Sequence, residues 1–205
     1  LQMEAVNPQA DLVLAGRSVL QQLAKANGLA AYSSERVDMV PSRFKDSNNF
    51  WTGLWYDPLV FAVNKDIGEK LRYIPVKLAE LPNNKNVRIG LTDLLAAEDT
   101  ANLLYTLAAI NGEEQALAYF KSIHPQIVQY AKFLSTPVRM AAMGEVDIAI
   151  TAQSEVIKYI KDGFPVNILY PEDGTAYVLT GIGLINGSSH YADARQFMDW
   201  LIQYA

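Results

Sequence analysis

The chain has 205 residues, half of them hydrophobic and 19% charged, with a formal net charge of −5. That is enough polypeptide for one large domain or two small lobes, and its acidity argues against a nucleic-acid partner. No apolar run approaches the roughly 18 residues that span a bilayer, so no membrane insertion of this segment is expected. The absence of cysteine excludes disulfides, thiolate metal sites and cysteine nucleophiles.

Taken in order, residues 11–15 (DLVLA) form a short apolar run closed by Gly16 and read as a buried strand. Residues 18–27 carry Val19, Leu20, Leu23 and Ala24 at helical spacing, with Gly28 as the stop. Residues 33–50 are polar and irregular and read as loop. Residues 51–64 (WTGLWYDPLVFAVN) are rich in aromatic and β-branched types and read as two strands around Asp57-Pro58. A strand is expected over 86–91. A helix over 100–111 follows, opened by Thr100 and ended by Gly112, and then a helix over 113–123. Next come a strand at 128–133, a helix at 136–143, a strand at 146–150 and a helix at 153–161 stopped by Gly163. Strands over 166–170 and 177–185 and an amphipathic helix over 192–204 complete the series. Strands alternating with helices imply an α/β fold with largely parallel sheets.

Motifs for catalysis are absent: there is no GxSxG, HExxH, GxxxxGK[ST] or GxGxxG. The many carboxylates form no pair with acid–base spacing, and His124 and His190 stand far apart. Neither a catalytic residue nor a metal site nor a cofactor is assigned. One stretch draws attention, MGEVDIAITAQSEV (143–156), in which an apolar strand stops at Thr151, Ala152, Gln153 and Ser154 just before a helix. Many α/β proteins build a ligand site at such a place.

Six segments together resemble the type 2 periplasmic substrate-binding proteins, in the ferric-iron-binding branch of the bacterial ABC transporters. They are NPQADLVLAG (7–16), FWTGLWYDPLVFAVNKD (50–66), NGEEQALAYF (111–120), MGEVDIAI (143–150), PVNILYPEDGTAYVLTGIGLING (165–187) and ADARQFMDWLI (192–202). They fall in the family's order and cover most of the chain. The resemblance implies an α/β, two-lobed fold with mixed, mostly parallel sheets and hinge-crossing strands. Lobe 1 would comprise residues 1–60 and 180–205, and lobe 2 residues 61–179, with ligand captured between them. It also implies a strand, helix and strand ahead of residue 7 and further helix after Trp200, so lobe 1 is expected to be incomplete here. The implied setting is periplasmic or extracytoplasmic. The implied partners are a small-molecule solute and an ABC permease, or a membrane sensor kinase in a ligand-sensing variant.

The iron-binding members hold metal with adjacent tyrosines at the end of the strand that here reads VDIAI, where this chain has Gln153 and Ser154. Ferric ion favours anionic oxygen ligands, which a carboxamide and an aliphatic hydroxyl do not supply. Tyr56, Tyr105 and Tyr177 could bring phenolates from elsewhere, though no spacing links them. An anionic, phosphate- or carboxylate-bearing solute is therefore expected. Helix starts at Arg17-Ser18, at Thr100 and at Ser135-Thr136 offer free N–H groups and a positive dipole end. Arg17 and Arg139 offer bidentate partners. The resemblance places Arg17, Thr151 and Ser135 near the bound anion, and Trp51 and Tyr56 could form a platform. Each has a plainer reading: Ser and Thr at helix starts are caps worth about 1 kcal/mol, arginines are solvated, and aromatics pack half-buried strands.

Overall fold

The computed structural model describes residues 8–66 and 73–205. Asn7, the first residue of the NPQADLVLAG segment, lies outside the described residues. The chain divides into two compact units, residues 1–56 with 178–205 and residues 57–177. Two strands, β3 (Thr52–Asn64) and β8 (Tyr177–Ile185), have residues in both.

In the first unit, β1 (Leu12–Gly16) pairs antiparallel with β8, Leu14 opposite Ile182 and Gly16 opposite Thr180. The two-residue strand β2 (Leu29–Ala30) pairs with the end of β8, Leu29 opposite Ile185. On β8, Gly181 makes room for the neighbouring backbone of β3: a Cβ there would stand 2.7 Å from the Thr52 carbonyl oxygen. Helix α1 (Arg17–Lys25) anchors through one fully buried residue, Leu20. The helix ends in a left-handed turn made by Asn27 (φ 56°), not by Gly28. The Gly28 N–H instead reaches back to the Leu23 carbonyl, 2.8 Å, and that of Asn27 to Ala24, 3.1 Å, satisfying the last turn. Helix α2 (Glu35–Met39) buries Val37 beside Ile182, Leu184, Ala194 and Met198. The last two belong to α7 (Tyr191–Tyr204).

The second unit is one sheet with a core on each face. Its strands are the second half of β3, then β4 (Ile89–Thr92), β5 (Ile127–Ala131), β6 (Ile148–Ala152) and β7 (Val166–Leu169). Among the described residues β4 pairs parallel with β5 and β6, whereas β3 pairs antiparallel with β6 and β7. Because side chains alternate along a strand, Leu59, Phe61, Leu91, Ile148 and Ile150 enter one core. There they meet Leu103 of α3 (Glu98–Asn111) and Phe120 of α4 (Glu113–Ile123). Val60, Ala62 and Ala149 enter the other, against Val138 of α5 (Ser135–Ala142) and Val156 of α6 (Gln153–Lys161). An ion pair fixes the edge of this arrangement: the Arg88 guanidinium meets the Asp147 carboxylate at 2.6 Å, and the Arg88 N–H donates to the same carboxylate at 2.8 Å.

Four local expectations are corrected. Residues 51–64 form one strand, not two, because Asp57-Pro58 precedes the ladder with β6, which begins at Leu59. There the missing proline N–H leaves no partner wanting. Residues 33–50 are not all loop: α2 forms there, capped by Ser34, whose hydroxyl accepts the Val37 N–H at 3.3 Å. Helix α3 opens at Glu98, two residues before Thr100. Strand β6 does not stop at Ile150 but includes Thr151 and Ala152, both fully buried.

Candidate functional site

In the first unit α1 starts without a side-chain cap from the residue before it, Gly16. Arg17 is the first residue of the helix, and its side chain is held from two sides. Its Nη2 donates to the Arg43 carbonyl at 2.6 Å, and its guanidinium carbon lies 5.8 Å from the centre of the Trp51 ring. Among the described residues no carboxylate faces it, so a half-buried cation is fixed in place without a counter-charge. Trp51 is only 3% exposed and forms the floor under Arg17, not an open platform. Ser18 is exposed in the same first turn. Tyr56 is also exposed and stacks on Phe44, ring centres 5.8 Å apart. It borders a separate recess of about 330 Å³ that includes Met39, Trp55 and Leu179 but not Arg17.

In the second unit the candidate residues gather at the carboxyl end of β6 and the starts of three helices. Thr151 is buried and its hydroxyl donates to the Leu134 carbonyl at 3.1 Å, tying β6 to the start of α5. Ser135 opens α5 without a side-chain cap before it, while the Thr136 N–H donates to the Phe133 carbonyl at 3.1 Å. Arg139 is exposed in the last turn of the same helix, about 6 Å along the axis from Ser135 at 1.5 Å per residue. Thr100 is buried, and its hydroxyl donates to the Asp93 and Ala97 carbonyls at 3.0 and 3.2 Å. Its chemistry is thus spent inside the α3 turn.

The start of α6 is occupied by a residue that sequence reasoning passed over. The Asp57 carboxylate accepts the Ser154 N–H at 3.0 Å and so caps the helix from 97 residues away. Gln153 accepts the Tyr170 hydroxyl at 3.1 Å, which leaves its amide nitrogen to donate. Asp99, at the second position of α3, is 9% exposed. Burial pushes its carboxyl above the usual aspartate range, and the carboxylates of Asp57, Glu98 and Glu155 add to the shift while its own backbone N–H opposes it. Lys158 is drawn to Glu155 at 2.6 Å, which raises its ammonium group above the ordinary lysine range. The field at the starts of α3 and α6 is therefore negative, in contrast to the start of α1.

Among the described residues no three His, Asp or Glu side chains converge as a metal-binding set, and no helix is long and apolar enough to cross a membrane. His124 is engaged with the Tyr130 hydroxyl at 2.8 Å, and His190 with Asp11 at 3.3 Å. The histidine contact and a hydrogen bond from Ser188 hold the Asp11 carboxyl below its usual range, the serine contributing more.

The architecture is the type 2 periplasmic-binding-protein fold. A periplasmic binding protein of Actinobacillus pleuropneumoniae, AfuA, solved with fructose-6-phosphate bound, matches at TM-score 0.76 and 30% identity over 98% of this chain and 66% of its own. The ferric iron-binding protein A of Mannheimia haemolytica matches at TM-score 0.84 and 19% identity, over 98% of this chain and 67% of its own. The chain belongs to the bacterial extracellular solute-binding protein family, whose pattern covers residues 7–204. A putative 2-aminoethylphosphonate-binding periplasmic protein of Salmonella typhi is 23% identical over 98% of this chain, which spans 60% of that relative.

Proposed function

We propose that the chain is part of an extracytoplasmic protein that captures a small solute bearing a phosphate, phosphonate or carboxylate group and delivers it to an ABC permease. The observation that carries this reading is Arg17: a guanidinium pinned between Trp51 and the Arg43 carbonyl at a helix start that Gly16 does not cap, with no carboxylate of the described residues on it. A fixed cation with donors to spare and a helix dipole behind it favours an oxyanion. In this reading the solute is held between the lobes expected at 1–60 with 180–205 and at 61–179. Closure is favoured because the closed form makes contacts to the solute that the open form lacks. Ser135, Thr136, Gln153 and Ser154 supply neutral hydrogen bonds from the second lobe. AfuA was solved with a sugar phosphate and the Salmonella relative is described as binding a phosphonate. Both solutes carry an oxyanion of phosphorus.

The test is a thermal-shift series with inorganic phosphate, fructose 6-phosphate, 2-aminoethylphosphonate, citrate and ferric ion. A ligand that binds only the native form must raise the transition. A rise with a phosphorus oxyanion and none with ferric ion alone is expected. A flat response to every anion, or a strong ferric response with a tyrosinate-to-iron colour band, overturns the proposal.

A further inference from the structure

We propose that the second unit carries a separate binding site, beside α3 and α4, for a small amine with an apolar body. The site is independent of the oxyanion reading, since every residue it uses lies within 57–177. A recess of about 370 Å³ opens there, in the size range of small-molecule sites. Its apolar walls are Leu78, Leu103, Leu107, Ile110 and Ala116. Leu78, Leu103 and Ala116 are buried, whereas Ile110 is 72% exposed, and apolar surface left open gains by being covered. Among the described lining residues the one charge is Asp173. Its carboxylate is fixed in place: one oxygen accepts the Leu78 N–H and the other the Ala79 N–H, each at 2.9 Å. Each oxygen keeps a lone pair, and Lys77, the residue before Leu78, is engaged by Glu172 at 3.9 Å. The negative field reaches the interior, where burial raises the Tyr119 hydroxyl above its usual range and Asp173 adds to the shift. Tyr119 is itself committed, donating to the Leu78 carbonyl at 3.0 Å. The Thr175 hydroxyl in the same wall is buried without a hydrogen-bond partner among the described residues, a state that buried polar groups seldom keep. Apolar walls, a fixed anion and an unmet hydroxyl together suit an ammonium group on an apolar body. The ammonium donates to Asp173 and Thr175 while the body lies on the leucines, and a carboxylate in its place would meet a like charge.

An NMR titration of the methyl-labelled chain with 2-phenylethylamine, 2-phenylethanol and 3-phenylpropionate tests this. The methyl resonances of Leu103, Leu107 and Ile110 should move. The amine is expected to bind about tenfold more tightly than the alcohol, the ratio of a charge-assisted to a neutral hydrogen bond, and the carboxylate most weakly. Thr106→Phe fills the recess from a half-buried lining position and should abolish the shifts with all three. Asp173→Asn removes the charge, keeps an acceptor for one of the two N–H groups, and should bring the amine and the alcohol to equal affinity. Equal affinity for the two in the wild type, an undiminished preference for the amine in D173N, or shifts that persist in T106F overturn the proposal. So does the absence of shifts at those three residues with the amine. Loss of oxyanion binding leaves this site standing, and its failure leaves the Arg17 reading standing.

Discussion

The Arg17 guanidinium lies over the buried Trp51 ring at 5.8 Å and donates to the Arg43 carbonyl at 2.6 Å. Two constraints on one flexible side chain remove most of its rotamer freedom in advance, so an anion that meets it loses little further entropy. Replacing Arg17 with Gln is expected to weaken phosphate-ester binding by about 10- to 100-fold, the worth of a charge-assisted hydrogen bond. Stability should move by less than about 1 kcal/mol, the range of an exposed cation–π contact. Calorimetric titration beside a denaturant melt separates the two effects, and equal affinity in R17Q would shift the anion contact elsewhere.

The Arg88–Asp147 pair has a different character. Asp147 is nearly buried and accepts from both the backbone and the side chain of Arg88. Asp147→Ala leaves the Arg88 N–H without its acceptor and is expected to cost about 2–3 kcal/mol, as for hydrogen bonds to a charged group. Urea unfolding measures it. A change under about 0.5 kcal/mol, the range of an ordinary surface substitution, would assign the pair to the surface class.

Asp99 gives a pH-dependent expectation. Its folded carboxyl is raised mainly by burial, so the native state binds the proton more tightly than the unfolded chain does. Its contribution is favourable below the ordinary aspartate range and is lost as pH rises through the raised folded value. Asp99→Asn should therefore raise the melting temperature at pH 7, with the gain shrinking as pH falls into the carboxylate range. A gain independent of pH would point to packing instead of charge.

Gly181 sits where β8 passes the backbone of β3. A Cβ there would lie 2.7 Å from the Thr52 carbonyl oxygen and 3.0 Å from Leu20 Cδ1. Gly181→Ala is expected to destabilise by about 1–3 kcal/mol through overpacking. Because Leu20 is the one fully buried residue of α1, the amides of that helix should lose hydrogen-exchange protection first. Uniform loss across the chain would contradict this.

The elements most legible in the sequence were those bounded by glycine. Helix α4 follows Gly112 at φ 91° and α6 is succeeded by Gly163 at φ 83°. Both positions favour a residue without a Cβ. Strands β7 and β8 were legible from apolar runs. Helix α2 was not, because five residues are too few to show a 3.6-residue period, although Ser34 followed by Glu35 was a usable cap signal. Pro58 misled for a good reason: its rule applies inside a ladder, and here the β6 ladder starts one residue later. At the candidate site, Arg17 is legible from a helix start together with the resemblance, and Gln153 from the end of an apolar strand where the resemblance places tyrosine ligands. The Asp57 cap was invisible, since nothing local connects residues 97 apart. Thr100 and Thr151 looked available because a sequence does not tell which hydroxyls are already committed to backbone carbonyls.

The division of β3 and β8 between the units also sets an order of birth. Residues 57–177 are contiguous, so the second unit can collapse as soon as they have all left the ribosome. The first unit cannot: β1 and β2 both need β8, whose residues are made only after nearly all of the second unit. Until then an apolar LVLAG segment waits without its neighbour, exposed for the whole time its counterpart takes to be translated. A chaperone would be needed on residues 12–16 from their emergence until β8 has been made.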